Sequence, residues 1–208
     1  MSAIVVAGDT SGTITIAAPA VAGSGTLTLP VATDTLVGKA TTDTLTNKSI
    51  AATQLTGTIA AAALPAGSVL QVVNATYGTV TSNATSTYVT TGLTATITPT
   101  SASSKILVFA NVAGCFKQTN NIALGLRLYR GASSINAFEN LAGYTGSTAA
   151  NGVGSSSTTY LDAPATTSAT TYAVYFSSRG NSATVYVQND YDVAGDSKST
   201  MTLMEIAG

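Results

Sequence analysis

Ala123-Leu124-Gly125-Leu126-Arg127-Leu128-Tyr129 alternates at every step. Leu124, Leu126 and Leu128 fall on one side of an extended chain, and Gly125 and Arg127 on the other. A period of two marks a strand with one face buried. Ala183-Thr184-Val185-Tyr186-Val187 repeats the pattern, with the valines turned inward. Working outward from these runs, strands are expected at 69–77, 93–98, 105–113, 122–129, 157–161, 171–177, 184–188 and 200–206. A short strand is also expected near Ser134 to Phe138. Turn signals separate them, and Gly143 to Ser157, rich in Gly, Ser and Ala, reads as a long surface loop. About eight strands in one stretch imply a β-sandwich of jelly-roll-like topology.

Composition agrees. Charged residues make up 8% of the 208-residue chain, against roughly 25% in an ordinary soluble domain. Thr, Ala, Ser, Gly and Val dominate, which favours strands and turns over helices. A surface of hydroxyls and small side chains suits contact with other protein. Eight basic residues against nine acidic ones, spread along the chain, make no nucleic-acid patch. No apolar stretch approaches the roughly 18–20 residues of a membrane helix. The first residues, Met1-Ser2-Ala3-Ile4-Val5-Val6-Ala7, lack the basic start of a signal peptide.

Residues 1–65 contain no aromatic side chain and form a zone of their own. Ser11-Gly12-Thr13-Ile14-Thr15-Ile16 recurs as Ser24-Gly25-Thr26-Leu27-Thr28-Leu29. Each copy is a turn followed by an alternating strand, and the two are expected to pair through the loop Ala17 to Gly23. A second echo, Asp34-Thr35-Leu36-Val37 and Asp43-Thr44-Leu45-Thr46, leads into spaced aliphatics at Ile50, Leu55, Ile59 and Leu64. Two strands alone are marginal in water, so this zone needs other chains to cover it. Pro65-Ala66-Gly67 punctuates the change to residues 66–208, which are long enough for a core.

Catalytic constellations are scarce. The chain has no histidine, which removes Ser-His-Asp and Cys-His catalysis and the commonest transition-metal ligand. Cys115, a lone cysteine among apolar residues, reads as a small buried side chain. Asp190, Asp192 and Asp196 form the one dense acidic group and are the candidate calcium ligands, though without an EF-hand spacing. A solvated hairpin loop is the plainer reading. No glycine run ends as a phosphate loop, and no cofactor is expected. The sequons at Asn47, Asn74 and Asn83 read as chance in a chain rich in Asn, Ser and Thr. Tyr144 and Tyr191, in loop contexts, are the candidate receptor contacts.

Thr41-Thr42-Asp43-Thr44-Leu45-Thr46-Asn47-Lys48-Ser49-Ile50 resembles a segment of tail-fibre and appendage proteins of tailed bacteriophages. Ser24-Gly25-Thr26-Leu27-Thr28-Leu29-Pro30, the run from Gly92 to Val108 and the ending Met201-Thr202-Leu203-Met204-Glu205-Ile206 are similar to further virion segments. The resemblance implies a non-enzymatic homotrimer on the virion exterior, made in the host cytoplasm. Residues 1–65 would dock on other virion proteins of the tail, baseplate or capsid. A β domain, residues 66–208, would face a host-surface glycan or protein. Ile14, Ile16, Leu27, Leu29, Leu45, Ile50, Leu55 and Ile59 are then the expected trimer seam. A capsid decoration or head-fibre protein is the alternative, and a polysaccharide depolymerase the remote one.

Overall fold

The computed structural model describes residues 3–7, 10–17, 49–51, 57, 59–189 and 196–208. The chain divides into two units, Met1–Thr56 and Gly57–Gly208.

In the first unit, β1 (Ala3–Ala7) pairs antiparallel with β2 (Thr13–Ala17). The register sets Ile4 against Ile16 and Val6 against Ile14. The partner found for the first Ser-Gly-Thr strand is therefore the apolar run that precedes it. Its expected pairing with Thr26 to Leu29 lies outside the described residues.

The second unit is an all-β sandwich of two antiparallel sheets. Its strands are β3 (Val69–Tyr77), β4 (Thr81–Asn83), β5 (Val89–Ile97), β6 (Lys105–Lys117), β7 (Ile122–Arg130), β8 (Ser133–Ala142), β9 (Asn151–Asp162), β10 (Thr170–Gly180), β11 (Val185–Val187) and β12 (Ser199–Ile206). The pairings are nested. β7 pairs with β8, β6 with β9, β5 with β10, and β3 with β12. Cross-links β10–β7 and β12–β6 then join these pairs into the two sheets. One sheet runs β5-β10-β7-β8, and the other runs β3-β12-β6-β9 through its centre. β11 lies beside the far end of β6, at Phe116 and Lys117, and carries β4 on its other side.

Alternation builds the core. Leu93, Leu124, Leu126, Leu128, Val174 and Phe176 come from one inner face. Ile106, Val108, Val112, Met201 and Leu203 come from the other. The valines of β11 are buried as expected. Cys115 is buried among these side chains, and burial pushes its thiol up to about 12.

Two expectations are corrected. Residues 151–157 are strand, not loop: β9 begins at Asn151 and follows β6 as far as Lys117. Its glycines fit because the ladder is irregular there. The register shifts between Val112 and Cys115 and again before Phe116, and Gly114 takes a φ of 58°. A bulge leaves room in register for residues that a regular strand disfavours. β4 was not expected, since three residues of Thr81–Asn83 carry too little pattern to read.

The loop that remains, 143–150, is tied down. Lys117, fully buried at the end of β6, donates from Nζ to Thr145 Oγ1 and to Thr148 O at 3.1 Å. Asn121 N donates to Thr145 O at 2.8 Å.

Candidate functional site

The sandwich has two outer faces, and the one on the β3-β12-β6-β9 sheet is unusual. Burial alternates cleanly along β12 and β6, so residues 200, 202, 204 and 206, with 105, 107, 109 and 111, point away from the core. Register then lines up an apolar row across four strands. Val72 stands opposite Met204, Met204 opposite Leu107, and Leu107 opposite Leu161. Val72 is 54% exposed and Leu161 51%. Phe109, 39% exposed, rises in the next row between Thr202 and Thr159. Beside it lies a shallow depression of about 200 Å³ lined by Asn111, Ser157, Thr159, Thr200 and Thr202. Lys105 is the only charged residue among these outward positions of β6 and β12.

A row of four strands spans about 14 Å at the usual spacing. Single exposed aliphatics are ordinary, but a contiguous apolar row marks a contact surface. Sequence reasoning did not single out these residues. The signal was present in Lys105 to Ala110, where Leu107 and Phe109 are apolar between Ile106, Val108 and Ala110. A strand apolar on both parities is one whose two faces are both covered.

Two buried carboxylates of this unit, Asp162 and Glu205, serve structure. Asp162, at the end of β9, accepts from Arg130 Nη1 at 2.9 Å on both oxygens and from Tyr172 Oη at 2.7 Å. This joins the two sheets at one end. Burial, and then the bond to Asp162, push the Tyr172 phenol well above its usual range. Glu205 is fully buried on the inner side of β12. Its carboxylate accepts from Gln71 Nε2 at 2.6 Å and from Thr100 N and Oγ1 at 2.7 Å each. Burial opposes its charge, but these donors outweigh burial and hold the carboxyl below its ordinary range.

Of the expected site residues, Tyr144 is 52% exposed in the 143–150 loop, with its Oη 3.4 Å from Asn121 Oδ1. Tyr191, Asp190 and Asp192 lie outside the described residues. Asp196 is exposed, and among the described residues no three ligating side chains gather. The calcium expectation thus rests mainly on residues outside the described ones. Ile50 and Ile59 are exposed, at 45% and 59%. Ile14 and Ile16 sit on β2, opposite Val6 and Ile4. Leu27, Leu29, Leu45 and Leu55 lie outside the described residues. Two sequon asparagines have structural roles. Asn74 donates to Thr202 Oγ1, and the buried Asn83 donates to Thr87 O and Phe176 O while its Oδ1 accepts from Thr85.

No protein-family model matches the sequence, and no curated protein matches it. Among solved structures, that of the infectious bursal disease virus VP2 subviral particle aligns at 12% identity with a TM-score of 0.31. The alignment covers 66% of this chain and 37% of that one. This chain thus spans little more than a third of the other's length, and a likeness so loose carries no argument about function.

Proposed function

We propose that this chain is a structural protein of a bacteriophage virion: a short homotrimeric tail fibre that docks through residues 1–65 and displays its sandwich to the host surface. The observation that carries the reading is the apolar row Val72, Met204, Leu107 and Leu161 with Phe109 beside it, on a face almost without charge. Such a face calls for protein cover, and a second copy of the same chain offers an equally uncharged surface. The phage-like segments supply the virion context. The nested pairing of eight long strands is that of an antiparallel ribbon rolled into a jelly roll, an architecture used by viral coat and lectin domains. Function here is binding, with no bond made or broken, and its strength comes from avidity among three copies.

Native mass spectrometry of the full chain tests the assembly, with a trimer expected. A monomer at micromolar concentration overturns the reading. Deleting residues 1–60 should abolish incorporation into virions. Labelled protein on the tail supports the fibre, whereas label on the head transfers the role to capsid decoration.

A further inference from the structure

The opposite outer face, on the β5-β10-β7-β8 sheet, carries a different chemistry. Pairing of β7 with β10 sets Arg127 opposite Tyr175, Gly125 opposite Ser177, Ala123 opposite Arg179 and Tyr129 opposite Ala173. By strand parity these positions point away from Leu124, Leu126 and Leu128, and of them Ala123, Gly125 and Ser177 are buried while Arg127, Tyr129, Tyr175 and Arg179 are half-buried. The Arg127 guanidinium lies over the Tyr88 ring, 4.2 Å from its centroid. Tyr129 and Tyr175 stack at 4.2 Å between centroids. Gly125, on the other side of Arg127 from the tyrosine pair, lies beneath Tyr88 and Arg179. A Cβ there would come within 2.7 Å of Tyr88 Oη and 3.1 Å of Arg179 Cδ. Bare backbone therefore lets Tyr88 and Arg179 converge over one spot.

Two features point to an anion. Among the described residues neither Arg127 nor Arg179 has a carboxylate within 4.0 Å, and Asp162 is taken by Arg130. Five buried side-chain polar atoms among the described residues lack a hydrogen-bond partner, and three of them belong to this face: Tyr88 Oη, Arg127 Nε and Ser177 Oγ. Buried polar groups are nearly always partnered, so their concentration in one place is informative. All three can donate. A carboxylate only accepts, and takes several donors at once. A guanidinium stacked on a ring keeps its in-plane edge for such a group. The tyrosine pair beside it offers aromatic surface of the kind that packs against the C–H face of a sugar ring.

We propose that this face binds a carboxylated polysaccharide of the uronic-acid kind, with Arg127 and Arg179 holding carboxylates and Tyr129 and Tyr175 supporting the sugar rings. Two cations without a carboxylate partner among the described residues are too few for a nucleic-acid backbone, whose binding grows with each phosphate neutralised. The proposal deepens the host-binding half of the tail-fibre reading and takes its biological setting from it.

The test is calorimetric titration of the full-length protein with oligogalacturonate, with dextran oligosaccharides and a single-stranded DNA oligonucleotide as comparisons. Saturable binding of oligogalacturonate alone is expected. Arg127→Ala and Arg179→Gln should each weaken it at least tenfold, and Tyr175→Ala should weaken it less. Arg127→Lys should not restore it, because an ammonium cannot bind two oxygens in plane while stacked. Thermal melts establish that each variant is folded. No saturable binding, unchanged affinity in both folded arginine variants, or tighter binding of the DNA overturns the proposal. Adsorption of virions separates this from the fibre reading. If antibody fragments against the chain block adsorption while the isolated protein ignores oligogalacturonate, the site falls and the fibre stands. If the arginine variants lose the glycan but their virions adsorb normally, the site stands and the fibre reading falls.

Discussion

Asp162 shows how few charged residues this sandwich uses and how much each one does. Its carboxylate is almost fully buried and holds Arg130 and Tyr172 from the facing sheet. Removing one member of a buried pair leaves the other without compensation. Because the Arg130 side chain is itself 35% exposed and water can partly replace its partner, Asp162→Ala should cost about 2 kcal/mol, read as a lower urea midpoint with unchanged slope. An unchanged midpoint would show that Arg130 finds water instead. Glu205 gives a pH-dependent counterpart. Its folded carboxyl lies below the usual 4.5. The ionised form thus contributes stability that is complete above the unfolded pKa and is lost as pH falls through the folded value. Melting temperature should drop on acidification from roughly pH 5 to pH 3, and Glu205→Gln should flatten that drop. An equally steep decline in the variant would assign the acid sensitivity elsewhere. Glu205 was half legible in the sequence. Alternation through Met201 and Leu203 places it on the inner face, whereas its charge argues for the outer one. The donors that settle the conflict, Gln71 and Thr100, come from distant parts of the chain and leave no local mark.

At the scale of the element, alternation was legible wherever strand residues were strongly apolar on one parity. β3 starts and stops where it was expected, and β7 differs by a single residue. β9 was legible only in its second half. Its first residues, Asn151 to Ser156, carry loop composition and become strand because the bulged end of β6 offers them a ladder. Tertiary pairing there overrides local preference. The bulge depends on Gly114. Its φ of 58° disfavours any side chain, and a Cβ would meet Asn189 N at 2.5 Å and Asn189 O at 2.9 Å, both backbone atoms. Gly131, in the turn between β7 and β8, has a similar φ of 56° with nothing within 4 Å of its Cβ position. Gly131→Ala should cost about 1 kcal/mol through backbone conformation alone. Gly114→Ala should cost distinctly more, because backbone on both sides must shift. Chemical denaturation of the pair checks the order, and equal losses would mean that the Asn189 segment yields freely. The candidate faces were less legible than the strands. Loop tyrosines drew attention in the sequence, yet Arg127 meets Tyr175 only because β7 pairs with β10, about fifty positions away in the chain.

At the scale of the whole molecule, the two outer faces of the sandwich differ in a way that bears on assembly. One carries tyrosines and the arginines Arg127 and Arg179, which have no carboxylate partner among the described residues, and the other an uncharged apolar row. If copies of the chain associate through the apolar row, its side chains move from water into contact. Each Leu or Val fully buried in this way is worth roughly 1.5–3 kcal/mol. A carboxylate placed in the row would instead be stripped of water in every copy, without a cation to meet it. Leu161→Asp combined with Val72→Asp should convert the assembly to monomers at micromolar concentration, as read by native mass or sedimentation. The fold of the single sandwich should hardly notice, because both positions are more than half exposed in one chain and surface substitutions of this kind cost within about 0.5 kcal/mol. Arg127→Ala, on the opposite face, should leave the mass unchanged. The two results together matter more than either alone. Loss of assembly from the apolar face only would establish that it is the side buried between copies and leave the arginine–tyrosine face free for ligand. If the double aspartate variant keeps the mass of the wild type, the row faces solvent or a different protein, and copies of this chain meet elsewhere.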